Sequence, residues 1–262
     1  MSKKIVIILV VVLLVNVIWF MFVGYQWSWG PFSGMHDIKT KNLEGNKDLY
    51  GRDTVIRVSS PLEGKKLVFL GSSVTYGAAS CGESFVDFLE AETGCVTVKE
   101  AVSGTTLVDD KNDSYISRFK LLQEAEADIF ICQLSTNDAT QNKTLGDISE
   151  SKNIEDFYTH TVAGAMEYII AYAKNKWNCP VVFYTNPKYD SNEYQAMVEL
   201  TLKLQEKWDI IVIDMWNDNE FNAAGNEYLN LYMADSIHPT KAGYLKWWLP
   251  YMKETLENLI QE

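Results

Sequence analysis

Five short strand-like runs, Leu67–Leu70, Val96–Ala101, Ile129–Leu134, Val181–Thr185 and Ile210–Asp214, are separated from one another by stretches of helical periodicity. That alternation constrains the fold more than any other feature of the chain. Leu67–Leu70 has no polar side to turn to water, so it reads as a strand covered on both faces. The intervening stretches carry apolar residues at helical spacing. Phe85, Phe88 and Leu89 follow a capping box at Ser84-x-x-Asp87, and Ile116, Phe119 and Leu122 fall within Tyr115–Ala125. Ile154–Trp177 and Tyr194–Trp208 read as longer helices, and Thr240–Ile260 closes the chain. Strands joined through helices imply an α/β fold: a five-stranded parallel sheet with helices on both faces, a three-layer α/β/α domain with right-handed crossovers. No Pro/Gly/Ser-rich linker interrupts the part after Pro61, which favours one domain over two.

The N-terminus is of another kind. Ile5–Val23 is an apolar run broken only by Asn16, and at helical rise it covers about 28 Å, close to the hydrocarbon thickness of a bilayer. A helix buried in a soluble domain would need a polar face, and this one has none. Lys3 and Lys4 precede the run and no Lys or Arg follows before Lys39, so the positive-inside rule keeps the N-terminus cytoplasmic and sends the rest outside. Trp19, Tyr25, Trp27 and Trp29 are then expected near the outer interface. The competing reading is a cleaved secretory signal, but no A-x-A-like site occurs before Gly30. Residues 1–23 are therefore read as a single-pass signal-anchor, and under either reading the domain is extracellular. Residues 24–64 carry scattered glycines, prolines and charges with one strand-like stretch, Thr54–Val58. They read as a stem and a strap laid on a domain of residues 65–262, with no legible task.

Charge narrows the partners. The net charge is -12, and the anchor segment holds two basic residues and no acidic ones, so the external part is more acidic still. Nucleic acid, whose phosphates demand a basic surface, is disfavoured, and neutral substrates are preferred over polyanions. The four cysteines, Cys81, Cys95, Cys132 and Cys179, include no C-x-x-C pair and no histidine cluster, so the pattern offers no zinc site and calls for no metal or cofactor. Outside the cell a Cys81–Cys95 disulfide is permitted. Cys132, in a central strand, reads instead as a small buried hydrophobe.

Polar residues gather where the strands end. Ser73 follows Leu67–Leu70 within Gly71-Ser72-Ser73, the place where open α/β sheets hold their ligands. Taken alone it is equally an ordinary turn serine. Val96–Ala101 leads to V-S-G-T-T with Gly104, and Ile129–Leu134 leads to S-T-N-D with Asn137. Near the C-terminus M-A-D-S-I-H-P sets Asp235 three residues before His238. An Asp-x-x-His pair by itself is more often structural than catalytic. Of the three histidines, His36 lies in the stem and His160 within a predicted helix, whereas His238 alone sits in a loop after the last strand. A serine hydroxyl needs a base within hydrogen-bond reach before it attacks an ester, and His238 is the obvious one.

Together and in this order, the blocks resemble the SGNH hydrolases, the serine esterases and lipases also called GDSL-like enzymes. The likeness runs from Lys65 to the C-terminal helix and implies a flavodoxin-like fold. It also implies roles: Ser73 as nucleophile, Asp235 and His238 as the rest of a triad, and an oxyanion hole from the backbone N–H groups of Ser73 and Gly104 and the side-chain amide of Asn137. Two departures stand out. Ser72 replaces the Asp of the G-D-S block and becomes a rival nucleophile, and Ser135 replaces the Gly of the G-x-N-D block. Family members act on carbohydrate O-acetyl groups, lysophospholipids and thioesters.

The expectation is a membrane-anchored extracytoplasmic serine esterase acting on short-chain, O-acetyl esters of small molecules or glycans, without cofactor. An O-acyltransferase with the same triad, a lysophospholipase or thioesterase, and a non-catalytic binding domain of the same fold are the alternatives. Trp247 and Trp248, adjacent on the last helix, are read as core residues or as a sugar-stacking platform.

Overall fold

The computed structural model describes residues 2–27, 30–32 and 34–261. The first helix, α1 (Lys3–Trp27), runs for 25 residues, about 38 Å at helical rise. Among the described residues it is the one helix long and apolar enough to cross a membrane. Trp19, Tyr25 and Trp27 belong to it, and Trp29 lies outside the described residues. After α2 (Met35–Lys41) the chain makes three single helical turns, at Glu44–Asn46, Asp48–Tyr50 and Arg52–Thr54. Thr54–Val58 does not join the sheet. It lies across the end of a helix, where the Val58 N–H donates to the Glu92 carbonyl at 2.8 Å.

From residue 66 the expected alternation appears. In chain order the elements are β1 (Lys66–Gly71), α3 (Ser73–Tyr76), α4 (Phe85–Thr93), β2 (Val96–Ala101), α5 (Tyr115–Leu121), β3 (Ile129–Gln133), α6 (Thr136–Thr140), α7 (Val162–Trp177), β4 (Val181–Tyr184), α8 (Asn192–Trp208), β5 (Ile211–Ile213), α9 (Asn219–Glu227), α10 (Leu229–Tyr232) and α11 (Lys241–Gly243). A π-helical segment, Tyr244–Trp248, carries α11 into α12 (Leu249–Gln261). The five strands form one parallel sheet in the order β2-β1-β3-β4-β5. Alternate residues of β1 feed two cores. Val68 and Leu70 pack with α5, α7 and α8, and Leu67 and Phe69 pack with α4 and α12. This is why a strand with no polar face was expected to be covered twice.

Local signals set several boundaries. The Ser84 and Asp87 capping box is formed, with the Ser84 N–H donating to Asp87 Oδ2 at 2.7 Å. Other boundaries differ from expectation. α7 begins at Val162, where Thr161 accepts from the Gly164 N–H, and Ile154–Asp156 is a separate turn. Apolar Ile154 and Phe157 pack on the core and so prolong the periodic pattern beyond the helix. His160 therefore sits in a turn, not in a helix. α9 and α10 were not anticipated, because Asn219–Glu227 is polar apart from Phe221 and two alanines.

Both adjacent tryptophans belong to the core. Trp248 is fully buried among Phe85, Tyr184 and Tyr244, and Trp247 stacks on Phe221 at 4.6 Å while its Nε1–H donates to the Phe221 carbonyl at 2.9 Å. A sugar-stacking platform is thus ruled out. Cys132 is buried in β3, as expected, and no disulfide occurs among the described residues. Cys95 is buried at the start of β2, whereas Cys81 is exposed on the loop after α3.

Candidate active site

The strand order changes direction between β1 and β3, so the loops leaving their carboxyl ends diverge and open a crevice. Ser73 is the first residue of α3, on the sharp turn out of β1. Two glycines allow that turn. A Cβ on Gly71 would lie 1.7 Å from Thr75 Oγ1, and Gly77 ends α3 with φ +88°. As an N1 residue Ser73 has a backbone N–H with no intrahelical acceptor.

His238 arrives from the other end of the chain, in the loop between α10 and α11. That loop is pinned by a Met233–Pro239 bridge, by the Ala234 N–H on the His238 carbonyl at 2.9 Å and by the Thr240 N–H on the Tyr232 carbonyl at 2.8 Å. Asp235 folds the loop on itself. Its Oδ1 accepts from the N–H groups of Ile237 and His238, each at 2.8 Å, and its two oxygens lie 3.0 and 2.9 Å from His238 Nδ1. A carboxylate only accepts, so Nδ1 is the nitrogen that donates to it, and in the neutral ring Nε2 keeps its lone pair. Nε2 lies 2.8 Å from Ser73 Oγ.

Asp235 is held ionised. The surrounding protein opposes its charge, although 54% of the side chain stays exposed. The His238 ring, by hydrogen bond and by attraction, together with the two backbone donors, outweighs that and lowers its pKa to about 2.

Gly104, in the loop after β2, lies beside Asn137, in the first turn of α6. Gly104 has φ +83° with open space where a Cβ would stand. Asn137 commits one amide hydrogen to the Thr105 carbonyl at 2.9 Å, which leaves the second for another acceptor. Ser135, the departure from the family pattern, caps α6 by accepting from the Asn137 and Asp138 N–H groups at 3.2 and 3.3 Å. Asp138 is buried, and that burial pushes its carboxyl up, partly offset by Ser135 and by the N–H groups of Leu107 and Val108. Those two donors reach it at 2.7 and 3.1 Å and tie the loop that carries Gly104 to α6.

Sequence reasoning missed two supporting residues. Gln133, fully buried at the end of β3, places Oε1 within 2.9 Å of the Ser72 N–H, 3.2 Å of the Thr75 N–H and 2.7 Å of Thr75 Oγ1. Two backbone donors fix which end of the amide faces them. Its signal was a polar residue inside an otherwise apolar central strand. Asn186, beyond β4, donates from Nδ2 to the Ile237 carbonyl at 3.0 Å, next to His238. The rival Ser72 is fully buried, with its Oγ 3.4 Å from Gln133 Oε1, so it turns away from His238. A cavity of about 220 Å³ opens beside the histidine loop, lined by Tyr189, Leu229, Met233, Ser236 and Trp247 among others. Among the described residues no group of His, Cys, Asp or Glu is placed to hold a metal ion.

Residues 69–246 match the GDSL-like Lipase/Acylhydrolase family. The chain belongs to that family. Proteins of known structure share the fold despite low sequence identity. A Lactobacillus plantarum protein is 18% identical with a TM-score of 0.62, over 77% of this chain and 99% of its own. A Bacteroides ovatus protein described as a GDSL-like lipase is 19% identical with a TM-score of 0.56, over 74% and 98%. The acetyl xylan esterase AlAXEase is 13% identical with a TM-score of 0.51, over 73% and 99%. No curated protein matches the chain.

Proposed function

We propose that this GDSL-like hydrolase is a membrane-anchored extracytoplasmic serine esterase that removes short acyl groups, O-acetyl above all, from small-molecule or glycan esters. The observation that carries the reading is the relay of Ser73 Oγ, His238 and Asp235, with contacts of 2.8 and 2.9 Å. In it Ser73 Oγ attacks the ester carbonyl while Nε2 of His238 takes the hydroxyl proton. Asp235 keeps the imidazole in the required tautomer and stabilises the imidazolium. The oxyanion is met by the N–H groups of Ser73 and Gly104 and by the uncommitted N–H of Asn137. His238 then returns its proton to the departing alcohol, and a water, activated by the same Nε2, hydrolyses the acyl-serine.

The preference for acetyl esters draws on the acidic external part, on the modest cavity beside the histidine loop and on the fold shared with an acetyl xylan esterase. The anchor, residues 1–23, rests on the length and composition of α1, and the positive-inside rule sets its direction with the hydrolase domain outside. The full chain in detergent is treated with a fluorophosphonate and the labelled peptide is mapped. An adduct on Ser73 is expected, together with acetate release from aryl acetates and acetylated glycans. A folded chain that takes no label would overturn the esterase reading.

A further inference from the structure

We infer that Asn46, in the strap, is a positioning residue that sets Ser73 and His238 against each other. This rests on the esterase reading for its consequence, though not for its geometry. Ser73 and His238 stand on loops 165 residues apart in sequence, and a contact of 2.8 Å between them requires those loops to be held in common. The Asn46 side chain, 3% exposed, does so. Its Nδ2 donates to the carbonyl of Ala79 at 2.7 Å, in the loop that follows α3. Its Oδ1 accepts the N–H of Lys241 at 2.8 Å, at the first residue of α11, three positions beyond His238. The second Nδ2 hydrogen goes to the Thr40 carbonyl at 2.6 Å, which fastens the strap itself. Two carbonyls and one N–H leave no alternative orientation for the amide, and every one of these hydrogen bonds would be lost with the side chain.

Both loops transmit that constraint. The N–H groups of Gly77 and Ala78 donate to the Ser73 carbonyl at 2.9 and 3.0 Å, so the Ala79 loop is continuous with the turn that carries the serine. Lys241 follows Thr240, whose N–H and Oγ1 are bound to the carbonyls of Tyr232 and Leu231 on the other side of the histidine loop. Neighbours of Asn46 make the fit close. A Cβ on Gly45 would lie 2.0 Å from the Leu231 carbonyl oxygen and 2.3 Å from Thr240 Oγ1. Glu83 makes the same bridge by a second route, with Lys241 Nζ on Oε1 at 2.5 Å and the Arg52 N–H on Oε2 at 2.6 Å. The strap is therefore a clamp across the two loops and not a spacer between anchor and domain.

The test uses the full chain in detergent, as Asn46→Ala and Asn46→Ser, with Thr201→Ala on α8 as a control for lost buried hydrogen bonding. Two quantities are read: kcat and KM on an aryl acetate, and the nitrogen chemical shift of His238 Nε2, assigned by its loss in His238→Gln. In Asn46→Ala kcat is expected to fall about 10- to 100-fold with KM within threefold. The Nε2 shift should move toward that of an imidazole accepting no hydroxyl hydrogen bond, while Nδ1, held by Asp235 within the same loop, stays put. Asn46→Ser, which can serve one partner of three, should fall between. If the wild-type chain hydrolyses nothing and the Nε2 shift still moves, the clamp stands and the esterase reading fails. An unmoved Nε2 shift, or a loss of kcat no greater than in Thr201→Ala, overturns the clamp, as does failure of both Asn46 variants to fold.

Discussion

The backbone N–H of Ser72 donates to Oε1 of Gln133 at 2.9 Å, so two adjacent serines leave β1 facing opposite ways. Ser72 is drawn into the core and Ser73 is delivered to His238. Ser72→Ala should accordingly keep kcat/KM within about threefold, whereas Ser73→Ala should lower it on the order of 10³-fold or more. Rate measurements on both variants, with the fluorophosphonate adduct mapped by mass, check this. An adduct on Ser72 would reverse the assignment.

Gln133→Leu keeps the size of the side chain and removes the acceptor shared by Ser72 and Thr75. A buried donor left without a partner costs about 1–3 kcal/mol, and the expected loss of stability is of that order. Because the unpaired groups lie on the turn that carries Ser73, kcat should fall about tenfold or more. Denaturant unfolding and steady-state rates on the same preparation measure the two effects. A loss of stability with full activity would show that the turn does not depend on Gln133.

Much of this could be read from the chain, and what could not has a common cause. The sheet was legible because Leu67–Leu70 and the runs of β3 and β4 are apolar almost throughout, and the Ser84 box announced α4. The residues that meet at Ser73, Asp235 and His238 could be picked out because each stands in a short local block. Asn46 was not, since its partners are backbone groups at residues 40, 79 and 241, and backbone groups carry no residue code. α9 escaped because one buried phenylalanine makes no periodic pattern, and the start of α7 was misplaced because Ile154 and Phe157 bury apolar area from a turn. Long-range contacts between a side chain and the backbone are where pattern reading stops.

Asn137 spends one N–H on the Thr105 carbonyl and keeps one uncommitted, which the proposed reaction assigns to the oxyanion. Removing a single such donor typically costs about 3 kcal/mol of transition-state stabilisation, which is on the order of 100-fold in rate. Asn137→Ala should show that fall in kcat with little change in KM. Asn137→Asp should be at least as poor, because its carboxylate would face the Thr105 carbonyl and the oxyanion with no donor. Equal kcat in wild type and Asn137→Ala would remove Asn137 from the oxyanion hole.

Asp235 gives the histidine loop a pH signature. Its pKa of about 2 in the folded chain lies below the value of about 3.9 for an unfolded aspartate. Protons are therefore bound more tightly by the unfolded chain, and the ionised carboxylate contributes stability that is fully present above about pH 4 and is lost as the pH falls toward about 2. Asp235→Asn should melt below wild type at neutral pH, and the gap should close across that acidic window. Melting curves of both chains over one pH series test this. A gap that persists unchanged down to about pH 2 would show that the Asp235 carboxylate does not carry that stability.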